Sequence, residues 1–220
     1  MIIPNSSCVY VDLDDTLAKT ADLKSGLTTG VMLGLTHKEW HSFKADLQRQ
    51  SLEVIQEEAA LRGCSAAKFY DMIYISKARP GAEEFILNLR KETEVAFITG
   101  GNPKCQEEIV KALGFDPEIP VIGLYSPIDR HQFFILVDDL NINTNGVLAK
   151  METLGAVEPE HWDRRGRGLE ADLMRCFYRI EPWTPGKEDR VDFPKEAFHI
   201  IHKLRNQIRG ALTMNEEEVC

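Results

Sequence analysis

Three apolar runs, Cys8-Val9-Tyr10-Val11, Val95-Ala96-Phe97-Ile98 and Phe133-Phe134-Ile135-Leu136-Val137, constrain the fold of this chain more than any other feature. Each is short, rich in β-branched and aromatic residues, and continuously apolar. A strand with one wet face alternates in polarity. A continuous run marks a strand covered on both faces, as in a parallel sheet between helical layers. Pro120-Val121-Ile122-Gly123-Leu124-Tyr125 predicts a fourth strand and Cys176-Phe177-Tyr178-Arg179-Ile180 a fifth. Helical stripes lie between them: Phe85, Ile86 and Leu89 after Pro80-Gly81; Ile109, Val110 and Leu113 after Asn102-Pro103, closed by Gly114; Val147, Leu148, Met151 and Leu154 before Gly155. The alternation predicts an α/β fold, a Rossmann-like doubly wound and mainly parallel sheet, with its ligand site at the carboxyl ends of the strands.

Residues 19–76 interrupt that rhythm. They offer no convincing strand and read as helix after helix, an inserted helical cap in a core formed by residues 1–18 and 77–220. Thr36 with Glu39 is a capping-box signature, and Trp40, Phe43 and Leu47 form the stripe behind it. Gly63 closes that stretch, and Phe69, Met72 and Ile73 predict a further helix leading back to Arg79-Pro80-Gly81.

The 26 Lys+Arg against 35 Asp+Glu give a net charge of −9, so nothing general attracts nucleic acid or an anionic membrane. An anionic ligand must be held by local donors or a metal. The five cysteines are scattered without a C-x-x-C pair, the N-terminus has no basic region followed by an apolar run, and no stretch approaches the roughly eighteen apolar residues of a membrane span. The expectation is a cytoplasmic protein. Glu216-Glu217-Glu218 reads as a solvated tail, although some bacterial export systems accept such an ending.

The first strand runs into Asp12-Leu13-Asp14-Asp15-Thr16, and strand periodicity sends Asp12 and Asp14 the same way. Two anions so close require a cation between them or a proton on one, which suits a Mg²⁺-assisted nucleophile beside a general acid. The same residues also fit a solvated turn in which Asp15 or Thr16 caps the next segment. The second strand ends in Thr99-Gly100-Gly101-Asn102-Pro103, a hydroxyl and two glycines opening a helix, which exposes N–H groups as an anion cradle. The third ends in Asp138-Asp139-Leu140-Asn141-Ile142-Asn143. Parallel topology brings all three polar ends into one crevice.

In these motifs the sequence resembles the haloacid dehalogenase-like (HAD) superfamily. The first motif is Val9-Tyr10-Val11-Asp12-Leu13-Asp14-Asp15-Thr16, the second Thr99, and the fourth Asp138-Asp139 with Asn143, in the family's order across roughly residues 8–145. The resemblance implies phosphate monoester hydrolysis through an aspartyl phosphate on Asp12, with Asp14 as acid and then base. It implies Mg²⁺ on the Asp12 carboxylate, the Asp14 carbonyl and Asp139, with Asp138 and Asn143 as further ligands or support, and phosphoryl oxygens held by Thr99, Gly100 and Gly101. An acid at Asp14 favours phosphate esters over the dehalogenase branch. The family also uses a lysine or arginine to neutralise nucleophile and phosphate. Arg130, Lys104 and Lys111 compete for that role, with Arg130 preferred over Lys104.

Weaker signals have plain alternatives. His37 and His41 are four apart on a helix, but Glu39 between them belongs to the capping box and no third ligand is evident. Arg164, Arg165 and Arg167 concentrate charge that suits a phosphorylated substrate or a solvated loop. Trp40, Tyr70 and Tyr74 suit a substrate pocket or packing within the insert. The resemblance leaves open a phosphorylated small molecule, a nucleotide, a polynucleotide end or a phosphoprotein as substrate. A phosphotransferase or phosphomutase, and a silent phosphate-binding regulatory module, are the alternative functions.

Overall fold

The computed structural model describes residues 3–4, 6–24, 27–127, 131–142, 144–156 and 173–217, with side chains as far as 213. In chain order the elements are β1 (Ser7–Asp12), β2 (Ala18–Asp22), α1 (Leu27–Met32), α2 (His37–Leu47), α3 (Leu52–Ala60), β3 (Ser65–Phe69) and β4 (Met72–Ala78). There follow α4 (Ala82–Arg90), β5 (Glu94–Thr99), α5 (Pro103–Ala112), β6 (Val121–Gly123), β7 (Phe133–Asp138), α6 (Asn145–Thr153), β8 (Phe177–Arg179) and α7 (Phe193–Glu217).

The five strands expected from continuous apolar runs form one sheet, in the order β6-β5-β1-β7-β8, with every neighbouring pair parallel. The first strand lies in the centre and the order reverses beside it, which opens a crevice at the carboxyl ends of β1, β5 and β7. Alternation along the strands divides the core. Val9, Val11, Val95, Phe97, Ile135 and Val137 pack against Phe85, Ile86 and Leu89 of α4, Ile109 and Val110 of α5, and Ile200 and Leu204 of α7. Cys8, Tyr10, Ala96, Ile98, Phe134 and Leu136 face Val147, Leu148, Met151 and Leu154 around α6. Helices therefore cover both faces, which is the α/β architecture of a doubly wound sheet. No described helix is long and apolar enough to cross a membrane.

The insert departs from expectation, because it is not all helical. The helices α1, α2 and α3 are present, and the Thr36/Glu39 capping box opens α2, but β2, β4 and β3 form a three-stranded antiparallel sheet. The helix expected around Phe69, Met72 and Ile73 is instead a hairpin. Phe69 pairs with Met72, and the two-residue turn between them holds Tyr70 at φ +52°. One face of this sheet, with Ile75 and Ala66, joins Trp40, Leu47, Ile55 and Ala59 in a separate core. The other face, with Ala67, Phe69 and Tyr74, packs on the main core, and Tyr74 lies beside Cys105 of α5.

Trp40 is 2% exposed at the centre of the insert's core. Gly30 of α1 lies directly against it, and a Cβ there would come within 2.8 Å of the indole. Trp40 is thus packed within the insert and leaves almost no surface exposed. Tyr70 is 80% exposed at the hairpin tip, and Tyr74 is half-buried with its hydroxyl donating to Met72 Sδ.

Residues beyond β8 hold the insert's junction in place. Arg79, just after β4, forms a two-pronged ion pair with Asp189, both contacts at 2.7 Å, and donates to the carbonyls of Thr16 and Glu181. Its backbone N–H donates to Leu17 O, and the Trp183 N–H donates to Asp15 O. A planar guanidinium with this many partners is a rigid joint between the loop after β1, the insert and the C-terminal segment. Trp40→Ala is expected to cost about 3–5 kcal/mol in chemical unfolding, whereas Tyr70→Ala should stay within about 0.5 kcal/mol. Equal costs would contradict this assignment of the two aromatics.

Candidate functional site

Strand alternation builds the site. Cys8, Tyr10 and Asp12 share one face of β1, and Phe134, Leu136 and Asp138 share the same face of β7. Both carboxylates therefore project towards the α6 side at the strand ends. On α6, Lys150 lies three residues after Val147 and four before Leu154, so it falls within the apolar stripe that packs on that face. It is 5% exposed, and its Nζ donates to Asp12 Oδ1 at 2.5 Å and Asp138 Oδ2 at 2.6 Å.

This buried lysine was not among the residues expected to supply the neutralising cation. Lys104 sits exposed in the first turn of α5 and Lys111 pairs with Glu108 on the surface, so neither is at the Asp12 carboxylate. Arg130 lies outside the described residues, as do Asn143, Arg164, Arg165 and Arg167. Among the described residues, the cation that reaches Asp12 is on the helix after the acidic strand. The missed signal was a lysine in phase with Val147, Met151 and Leu154, an inward position that a lysine takes only when paired.

Asp138 is fully buried, with one oxygen on Lys150 and the other accepting the Leu140 N–H at 2.9 Å. Its role is to hold Lys150 and the turn after β7. Asp139 faces the other way around: Thr16 Oγ1 lies 3.2 Å from Asp139 Oδ1 and 3.5 Å from Asp12 Oδ2, so one buried hydroxyl bridges the two strand ends. Arg179, at the end of β8, donates to the Asp139 carbonyl at 3.0 Å.

Asp12, Asp138 and Asp139 have ligating atoms within 4.8 Å of one another, the one such group of three among the described residues. Burial raises the pKa of Asp12, opposed by Lys150 and reinforced by Asp138; burial and the Asp138 charge raise that of Asp139. Burial opposes the charge on Lys150, but Asp12 and Asp138 outweigh it and its pKa is raised. Two of the three carboxylates bond the one ammonium, and the excess negative charge of the group calls for a proton or a further cation. Hard oxygen donors of this kind suit Mg²⁺, so the donor set fits the metal that the resemblance implies.

Asp14 does not follow Asp12 to the α6 side. β1 stops at Asp12, and residues 13–18 form a tight loop in which the N–H groups of Leu17 and Ala18 both donate to Leu13 O and Asp15 adopts φ +64°. Asp14 instead accepts a hydrogen bond from Gln106 Nε2 of α5 at 2.9 Å, and Thr20 of β2 is a second side-chain partner. Its carboxyl is open to solvent on one side, yet the surrounding protein raises its pKa, offset in part by these two bonds. Thr99, 5% exposed at the end of β5, accepts the Gly101 N–H at 3.0 Å and keeps its own proton to donate. Asn102 caps α5 through the Lys104 and Cys105 N–H groups, and Gly100 and Gly101 remain exposed. The histidine pair stays apart from all this: His37 and His41 are exposed on α2 with their Nε2 atoms 3.2 Å apart.

No known family profile matches the chain, and no curated protein matches its sequence. Twelve chains of solved structures match it. Among them is the RNA polymerase II CTD phosphatase Fcp1 of fission yeast, an alanine variant bound to beryllium fluoride. It is 14% identical with a TM-score of 0.42, over 91% of this chain and 51% of that one. The present chain thus spans about half the length of that phosphatase chain.

Removing Lys150 leaves two buried carboxylates facing each other. Lys150→Met should destabilise the protein by about 3–5 kcal/mol, against less than about 0.5 kcal/mol for the exposed Lys104→Met. Urea unfolding of the two variants checks this, and a small effect at Lys150 would contradict the ion group.

Proposed function

We propose that the protein is a Mg²⁺-dependent phosphohydrolase that cleaves a phosphate monoester through an aspartyl phosphate on Asp12. The observation that carries the reading is the Asp12 carboxylate at the end of the central strand, held by buried Lys150 and grouped with Asp138 and Asp139. The motif resemblance and the neighbouring ends of β1 and β5 support it.

In this reading an Asp12 oxygen attacks phosphorus, the bond to the ester oxygen breaks, and Asp14 delivers a proton to the departing oxygen. Asp14, now a base, takes a proton from water as that water attacks phosphorus. The bond to Asp12 then breaks, releasing phosphate and restoring both side chains. Lys150 neutralises Asp12 as an anionic phosphate approaches, and Thr99 with the glycines after it holds phosphoryl oxygens. Asp12, Asp139 and the Asp14 carbonyl would hold Mg²⁺, which would supply Lewis-acid stabilisation of the phosphoryl charge. Asp138 supports this set through Lys150.

The insert borders the site, because β2 brings Thr20 to Asp14. We assign residues 19–76 the selection of substrate, with a phosphorylated small molecule as the favoured class. Excess EDTA is expected to abolish phosphate release and Mg²⁺ to restore it, and Asp12→Asn should lose about a thousandfold or more in kcat while remaining folded. Full activity in EDTA, or wild-type turnover by Asp12→Asn, would contradict the reading.

A further inference from the structure

Gln106 has no part in the steps above, yet it is among the most constrained polar side chains near the site. It lies in α5 beside Cys105 and Ile109, at 7% exposure, on a buried helix face that an apolar residue would fill. Its Nε2 donates to Asp14 Oδ2 at 2.9 Å. The same nitrogen stands 3.9 Å from where a Cβ at Gly101 would be, so the amide that holds Asp14 also lies near the Thr99-Gly100-Gly101 loop. Its Oε1 is buried with no hydrogen-bond partner among the described residues. An unsatisfied buried acceptor is destabilising, and its retention needs a compensating interaction. The bond to Asp14 is that interaction.

Asp14 needs such a partner. It lies beyond the end of β1, where its backbone is bridged to Ala18 but its side chain has solvent on one side. Thr20 approaches it from the insert, whereas Gln106 holds it from the core helix that also opens at the phosphate loop. A general acid must sit within hydrogen-bond reach of the departing oxygen, and a small misplacement is enough to slow proton delivery.

We propose that Gln106 is a positioning residue that fixes the Asp14 carboxyl relative to the Thr99-Gly100-Gly101 loop, so that the acid meets the leaving oxygen of the bound ester. This rests on the phosphohydrolase reading. The near-isosteric Gln106→Met removes the amide while filling its space. It should lose about tenfold more kcat/KM on an alkyl phosphate, whose departing oxygen needs the proton, than on nitrophenyl phosphate, whose oxygen leaves readily. A packing defect would lower both substrates by the same factor, and that result would overturn the proposal. In an Asp14→Asn background, Gln106→Met should add no further loss on the alkyl phosphate; multiplicative losses would also overturn it.

A crystal structure of Gln106→Met separates this claim from the functional reading. The Asp14 carboxyl is expected to leave its wild-type position or to occupy several rotamers, whatever the enzyme's activity. An Asp14 side chain unmoved in that variant would overturn the positioning role while leaving the phosphohydrolase reading standing. Wild-type protein inert towards phosphate monoesters with Mg²⁺ would remove the phosphohydrolase reading and, with it, the purpose assigned to Gln106 in positioning the acid.

Discussion

One buried ammonium set against three carboxylates is the interaction on which the strand ends depend. Parallel pairing forces Asp12 and Asp138 onto the same face of adjacent strands, and Asp139 follows immediately. Without a cation these charges would repel in a region where burial already disfavours each of them. Lys150 relieves part of that strain, and it can do so only because α6 packs on this face through Val147, Leu148 and Met151. The desolvation of the lysine is offset by two short charged hydrogen bonds rather than by solvent. Fold and candidate chemistry therefore meet in a single helix whose apolar stripe carries one charged member.

The opposite side of the crevice is built differently. Asp14 is turned away from Lys150 and held by neutral donors, Gln106 from the core and Thr20 from the insert. Two carboxylates two residues apart thus receive unlike surroundings, one ion-paired and buried, the other hydrogen-bonded by neutral side chains and partly open. That difference suits a nucleophile and a proton donor acting in sequence. The segment after β8 contributes as well: Arg79 with Asp189, and Trp183 with the Asp15 carbonyl, fasten the loop between these residues and the insert.

The main sheet was legible because continuous apolar runs at β1, β5 and β7 leave few alternatives, and the polar clusters at their ends mark the crevice. The insert's strands were not, for a physical reason. Ala18-Lys19-Thr20-Ala21-Asp22 has no apolar alternation, Ser65-Ala66-Ala67-Lys68-Phe69 is rich in helix formers, and the hairpin from β3 to β4 turns at Tyr70-Asp71 without glycine. Their pairing is fixed by packing on α5 and under Trp40, a tertiary effect that local propensity does not carry. Lys150 was missed because lysine is read as a surface residue unless its helical phase is checked against its neighbours. The direction of Asp14 was misjudged because alternation applies only while the strand lasts, and β1 ends at Asp12.

The central claim is that Asp12 forms a covalent bond to phosphorus. Acid quenching during turnover of a phosphate monoester with Mg²⁺, followed by borohydride reduction and peptide mass spectrometry, tests it most directly. The account predicts homoserine in place of Asp12, dependent on substrate and absent when substrate is omitted. Turnover that leaves Asp12 unmodified while another residue carries the phosphoryl group would contradict it.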